Sequence, residues 1–164
     1  MIKLIVLDVD GTLTNGEIIY SNSGEELKSF NVKDGLGIAA WIKLGGQVAI
    51  ITGRTSKIVE NRSKELGIQH IKQGVSDKYQ VLQSILIESK IDISEVAAIG
   101  DDLNDLKMLK SLKYSFAPKD SVKEIRKVAF KVLKSNGGDG AVREMIDYLI
   151  KKEKLQRKLY EIFE

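Results

Sequence analysis

A chain of 164 residues is the size of one compact domain, and at that length a single core suffices without covalent staples. Hydrophobic residues at 43% and charged residues at 30% are globular averages, which excludes wholesale disorder and a continuous coiled coil. No cysteine and one histidine, His70, exclude disulfide frameworks, thiolate zinc sites, cysteine nucleophiles and any mechanism needing two imidazoles; a net charge of +3 is a weak field for nucleic acid.

The N-terminus, Met1-Ile2-Lys3-Leu4, runs directly into a strand-like segment without a signal peptide's layout, and no apolar run approaches the roughly 20 residues of a membrane span. A cytoplasmic protein with no nucleic-acid or membrane partner is expected. Ile2 to Val9 reads as a buried parallel strand that ends in acids. Glu17–Ser21 and Glu26–Phe30 flank Ser21-Asn22-Ser23-Gly24, a hairpin composition. The spacing of Leu36, Ile38, Ala39, Trp41 and Ile42 predicts a helix over Asp34–Leu44 that stops at Gly45-Gly46. Gln47–Ile51 is a second apolar strand, Ser56–Leu66 a helix closed by Gly67, and Ile68–Ile71 a short strand. A helix over Asp77–Ser89, a strand over Glu95–Gly100 and a helix over Leu103–Lys110 follow. Lys113–Ala117, a helix around Val122–Lys127, a strand at Phe130–Val132 and one final helical tail over about 141–164 complete the chain. Strands alternating with helices imply right-handed crossovers: one α/β domain over 1–164, a Rossmann-like doubly wound parallel sheet with helices on both faces.

Ligands of such sheets bind outside the carboxyl ends of the strands, where strand order reverses. The polar residues expected there are Asp8 and Asp10, then Thr52 and Arg54, then Lys78, then Asp101, Asp102, Asn104 and Asp105. Two carboxylates about 4 Å apart repel by about 4 kcal/mol at an effective dielectric of 20, so crowded acids call for a cation. Mg²⁺ suits an all-oxygen set, and lysine suits phosphate oxygens. Asp8 and Asp10 are able to divide labour as nucleophile and general acid.

These residues carry a resemblance. Asp8-Val9-Asp10-Gly11-Thr12-Leu13-Thr14 resembles motif I of the haloacid dehalogenase superfamily, Thr52 motif II, Lys78 motif III, and Gly100-Asp101-Asp102-Leu103-Asn104-Asp105 motif IV, in order over roughly residues 2–110. Asn15-Gly16, Ser21–Glu26, Phe30-Asn31-Val32-Lys33-Asp34-Gly35 and Gly137-Gly138-Asp139-Gly140-Ala141-Val142-Arg143-Glu144 extend the likeness over nearly the whole chain to the 3-deoxy-D-manno-octulosonate 8-phosphate (KDO 8-phosphate) phosphatase family. The phosphatase-like domains attached to some acylneuraminate cytidylyltransferases are similar too; without a second domain, a free-standing phosphatase is expected.

The resemblance implies that Asp8 attacks phosphorus and binds Mg²⁺, and that Asp10 protonates the leaving sugar oxygen, later activates water and offers its backbone carbonyl to the metal. It implies that Thr52 and Lys78 hold phosphate oxygens, that Asp101 completes the metal contacts, and that Asn104 and Asp105 support that shell or touch substrate. Asn31, Val32, Lys33, Asp34 and Gly35 would meet the sugar. Arg54 and Arg62 are the candidates for its carboxylate, since guanidinium binds carboxylate bidentately. Arg143 is a candidate from the same or a neighbouring chain.

A large cap has no room between motif I and the first long helix, so a hairpin flap at about 16–30 stands in its place. The family's tetramers, in which each hairpin leans toward a neighbouring active site, imply a homotetramer. The expected activity is Mg²⁺-dependent hydrolysis of KDO 8-phosphate for lipopolysaccharide synthesis. The alternatives are a nine-carbon acylneuraminate or KDN 9-phosphate substrate, or a phosphate-binding regulatory module without turnover. His70 and Trp41 are expected to be structural.

Overall fold

The computed structural model describes residues 1–164. In chain order it contains β1 (Leu4–Leu7), β2 (Ile19–Tyr20), β3 (Glu26–Leu27), α1 (Val32–Lys43), β4 (Gln47–Ile51), α2 (Lys57–Glu65), β5 (His70–Lys72) and α3 (Lys78–Ser89). β6 (Val96–Ile99), α4 (Leu106–Lys110), β7 (Tyr114–Ala117), α5 (Lys123–Val128), β8 (Lys131–Val132), α6 (Ala141–Lys152) and α7 (Gln156–Phe163) follow.

Six strands form one parallel sheet in the order β5-β4-β1-β6-β7-β8, and β2 pairs with β3 in a separate antiparallel hairpin. The chain lays β4 and β5 on one side of β1, then crosses to lay β6, β7 and β8 on the other. Strand order therefore reverses beside β1, which opens a crevice at the carboxyl ends of β1 and β6. The register is level there: Leu7 lies opposite Ile50 and Ile99, and the Asp8 N–H donates to the Ile99 carbonyl at 3.2 Å. Residues that follow these strands thus emerge side by side.

The strands are apolar on both faces because helices cover both. Ile5, Leu7, Val48, Ile50, Ala97 and Ile99 face one core with Ile38 and Trp41 of α1 and Val142, Met145, Ile146 and Leu149 of α6. Leu4, Val6, Ala49, Ile51, Val96 and Ala98 face the other with Leu82, Ile85 and Leu86 of α3, Met108 and Leu109 of α4 and Ile125 of α5. No helix is long and apolar enough to cross a membrane.

Element ends differ from expectation for local reasons. The first strand stops at Leu7 rather than Val9, because the N–H groups of Thr12, Leu13 and Thr14 all turn back onto the Val9 carbonyl at 3.1, 2.9 and 3.0 Å. The helix expected over Leu103–Lys110 opens as a 3-10 turn, Leu103–Asp105, because Asp105 turns back to accept the N–H groups of Asp101 and Asp102. Ile68 is drawn off its strand by its N–H bond to the Ser63 carbonyl, and pairing begins at His70. The C-terminal helix is two helices, broken where Lys154 takes a left-handed conformation (φ 58°).

Candidate active site

The nucleophile candidate sits in a buried charge cluster. Asp8, one residue past β1, lies beside Lys78, the first residue of α3, whose Nζ is 2.7 Å from Asp8 Oδ1 and 2.6 Å from Asp105 Oδ1. The Lys78 side chain is only 1% exposed. Burial works against its charge, but the charges of Asp8 and Asp105 outweigh that, and its pKa stands above the ordinary lysine value. Asp105 is wholly buried and also accepts from the Asp101 N–H at 3.1 Å, so it anchors both the lysine and the loop after β6.

Asp101 is the uncompensated member of this group. Its Oδ1 accepts from the Thr12 hydroxyl at 3.1 Å, and it has no cation beside it. Burial first, and then the charge of Asp8, push its carboxyl up to about 8. Carboxylate oxygens of Asp8, Asp101 and Asp105 lie within 4.8 Å of one another. That crowding, with Asp101 lacking a positive neighbour, is the environment a hard divalent ion would relieve, and the all-oxygen donor set fits Mg²⁺. The carboxylate of Asp10 is not in this cluster. Gly11 makes the close approach possible: its φ of +93° excludes most side chains, and a Cβ there would stand 2.1 Å from Asp101 Oδ2.

Asp10 turns toward the hairpin instead. Its Oδ1 is paired with Lys28, which also reaches Glu26 at 3.2 Å. Arg54 closes a ring, with Nη2 at 3.2 Å from Glu26, Nη2 at 3.1 Å from the Tyr20 hydroxyl and Nε at 4.0 Å from Asp10 Oδ2. The hairpin β2–β3 is thereby tied to its own chain.

Asp8, Asp10, Thr52, Arg54, Asp101, Asp102 and Asn104, with three glycines, line one cleft of about 480 Å³ that has no hydrophobic wall residue. Such a wall suits a polar anion plus cation better than an apolar ligand. Other expected contacts are elsewhere within this chain. Asn31, Asp34, Gly35 and Arg62 line a different, much tighter pocket beside Phe30, and Val32 and Lys33 line neither. Asn31 caps α1 by accepting from the Lys33 N–H at 2.8 Å. Asp34 is buried and accepts the Arg143 N–H at 2.7 Å, which ties α1 to the start of α6. Arg62 pairs with Glu65 at 2.9 Å and lies over the Phe30 ring. Arg54 lies in the loop before α2 rather than on it, so the two arginines share no pocket. Arg143 pairs with Asp147 on α6, away from the cleft.

A family model of the haloacid dehalogenase-like hydrolases matches residues 71–146. The 3-deoxy-D-manno-octulosonate 8-phosphate phosphatases of Yersinia pestis and Escherichia coli K12 are 42% and 44% identical over 149 residues, covering 91% of this chain and 80% and 79% of theirs. The chain belongs to the 3-deoxy-D-manno-octulosonate 8-phosphate phosphatase family.

A Moraxella catarrhalis phosphatase of this family, solved with magnesium ion, phosphate ion and KDO, superimposes with a TM-score of 0.96 at 40% identity, covering 99% of this chain and 94% of that one. A cobalt-bound Haemophilus influenzae phosphatase gives 0.88 at 37% identity, covering 92% and 88%. The fold of this chain thus matches that of both phosphatases over nine-tenths or more of its length.

Lys28, Glu26, Tyr20 and Thr12 are the polar residues of the site that sequence reasoning gave no role. Thr12 stood inside a motif already quoted. For Lys28 the only signal was a cation inside the strand expected over Glu26–Phe30, which does not say which way its side chain turns.

Proposed function

We propose that this chain hydrolyses KDO 8-phosphate to KDO and inorganic phosphate, with Mg²⁺ as cofactor. The observation that carries this is the pairing of a buried, lysine-supported carboxylate, Asp8, with a carboxylate that lacks any cation, Asp101, in a wholly polar cleft. The 42% identity to the Yersinia pestis phosphatase selects the substrate.

Asp8, Asp101 and the backbone carbonyl of Asp10 would hold the metal, and a bound Mg²⁺ supplies positive charge that offsets the repulsion between a carboxylate and a phosphate dianion. Asp8 attacks phosphorus while Asp10 passes a proton to the sugar oxygen, so the P–O bond to the sugar breaks as an acyl phosphate forms on Asp8. Asp10 then takes a proton from water, which attacks the same phosphorus and frees Asp8. Thr52 and Lys78 hold phosphate oxygens, Asp105 keeps Lys78 in place, and Asn104 borders the sugar. Arg54, on the cleft wall, takes the sugar carboxylate.

Asn31, Val32, Lys33, Asp34, Gly35 and Arg62 do not line the cleft of their own chain, so any contact they make with sugar is with that of a neighbouring copy. A homotetramer with hairpins set against adjacent clefts is the assembly we infer. Its support is the outward exposure of Ile18, Ile19, Tyr20 and Leu27 on the hairpin and of Val32 and Leu36 on α1. A cytoplasmic place in lipopolysaccharide sugar synthesis is the corresponding proposal, and it rests on the substrate.

The test is phosphate release from eight- and nine-carbon sugar-acid phosphates with Mg²⁺. Release should be fastest with KDO 8-phosphate and vanish on chelation or in Asp8→Asn. Binding without release would overturn the activity, and a faster nine-carbon ester would overturn the substrate.

A further inference from the structure

We propose that Lys28, carried by the hairpin, is a positioning residue for Asp10: it grips one carboxylate oxygen so that the proton exchanged with substrate and water resides on the other. The inference rests on Asp10 being the proton-transfer group of the phosphatase reaction.

The hairpin is built inside out. Ile19, Tyr20 and Leu27 are 43%, 58% and 52% exposed, while the side chain of Lys28 is 1% exposed. Lysine is among the residues least often buried, and immobilising its long stem costs entropy, so this placement needs a compensating partner. The partners are two carboxylates, Asp10 through Oδ1 and Glu26 at 3.2 Å.

An ammonium group has three donors and no acceptor. No proton can therefore sit between Lys28 and Asp10 Oδ1, and a proton on Asp10 occupies Oδ2. That oxygen faces the cleft residue Arg54, whose Nε is 4.0 Å away, beyond hydrogen-bonding distance, which leaves Oδ2 available to a substrate oxygen. Glu26 completes the arrangement by holding Lys28 and Arg54 at 3.2 Å each. Asp10, Lys28, Glu26 and Arg54 alternate in sign around the ring, and their charges sum to zero when Asp10 is ionised and to +1 when it holds its proton.

The experiment compares two esters by kcat/KM, which reports the steps through expulsion of the first alcohol. KDO 8-phosphate has an alkoxide leaving group that needs a proton; 4-nitrophenyl phosphate releases a stable phenolate and needs little. In Lys28→Met, kcat/KM for the sugar ester should fall by ~10–100-fold, and that for the aryl ester by less than about threefold, because a misplaced acid harms only the ester that depends on it. Lys28→Arg, which keeps the charge, should retain most of the wild-type ratio between the two esters. Thermal unfolding followed by circular dichroism should show the six-stranded sheet intact in both variants. Equal losses on both esters, or none on either, would overturn the role of Lys28 while leaving the phosphatase reading in place. A wild-type protein that cleaves neither ester would instead overturn the reading itself.

Discussion

Lys78 is one cation serving two buried carboxylates, and removing it should be costly in two ways. Lys78→Met leaves Asp8 and Asp105 facing each other without a counter-charge, and breaking a buried pair from one side costs about 3–5 kcal/mol. Urea unfolding should show a loss of that order, and phosphate release should disappear; an unchanged midpoint would contradict the pairing. Asp101 and Asp105 carry the pH dependence together. Burial and the charge of Asp8 raise their carboxyls from 3.8 to about 8 and about 6 in the folded, metal-free protein, so the fold holds protons that the unfolded chain releases near pH 4. Stability from these groups is complete below that point and is lost as pH climbs through 6 toward 8. The metal-free melting temperature should therefore drop by about 5 °C or more between pH 5 and pH 8.5. Mg²⁺ should restore more at the higher pH, since it replaces the proton, and Asp101→Asn should reduce the slope above pH 6. A slope unchanged in Asp101→Asn would assign the effect elsewhere.

Among the elements, the loop that joins β8 to α6 does the most to hold the nucleophile turn in shape. The Gly138 N–H donates to the Thr12 carbonyl at 2.9 Å, the Gly137 N–H donates to Asp120 at 2.9 Å, and Asp34 ties the far end at Arg143. Gly137 lies so close to the turn that a Cβ there would stand 1.8 Å from the Gly11 carbonyl oxygen. Backbone cannot yield as a flexible side chain does. Gly137→Ala should therefore displace Gly11 and its neighbour Asp10, lowering kcat by about tenfold or more and stability by about 1–3 kcal/mol. Kinetics paired with denaturant unfolding check both, and wild-type values would show that the turn tolerates the shift. This loop was visible in the sequence as Gly137-Gly138-Asp139-Gly140, but its job was not. Glycines report that something comes close, and only the fold shows that the something is the backbone beside the catalytic candidate.

At the scale of the molecule, an open cleft and an apolar-faced hairpin belong together. A two-stranded hairpin is marginal in water unless packed against something, and polar ties to Asp10 and Arg54 secure only its inner side. Sedimentation should show an oligomer. Val32→Glu, which places a charge at a residue 77% exposed on α1, should yield smaller species with activity on KDO 8-phosphate reduced by about tenfold or more. A wild-type monomer with full activity at high dilution would remove the assembly from the account.

The alternation of apolar strands with helices, and the acids, hydroxyl and lysine at the strand ends, were legible because each depends on local periodicity and chain order. So was the placement of Asp8, Thr52, Lys78 and Asp101 at neighbouring tips, since a parallel sheet in this order brings its carboxyl ends together whatever the side chains between them. The partner of each charge was not legible. That Lys78 spans to Asp105, that Asp10 turns to Lys28 rather than joining Asp8 and Asp101, and that Arg62 and Asn31 to Gly35 face away from their own cleft all depend on rotamers and loop paths. These are set by burial and pairing across tens of residues, and sequence spacing carries no information about direction once the chain leaves a helix or strand.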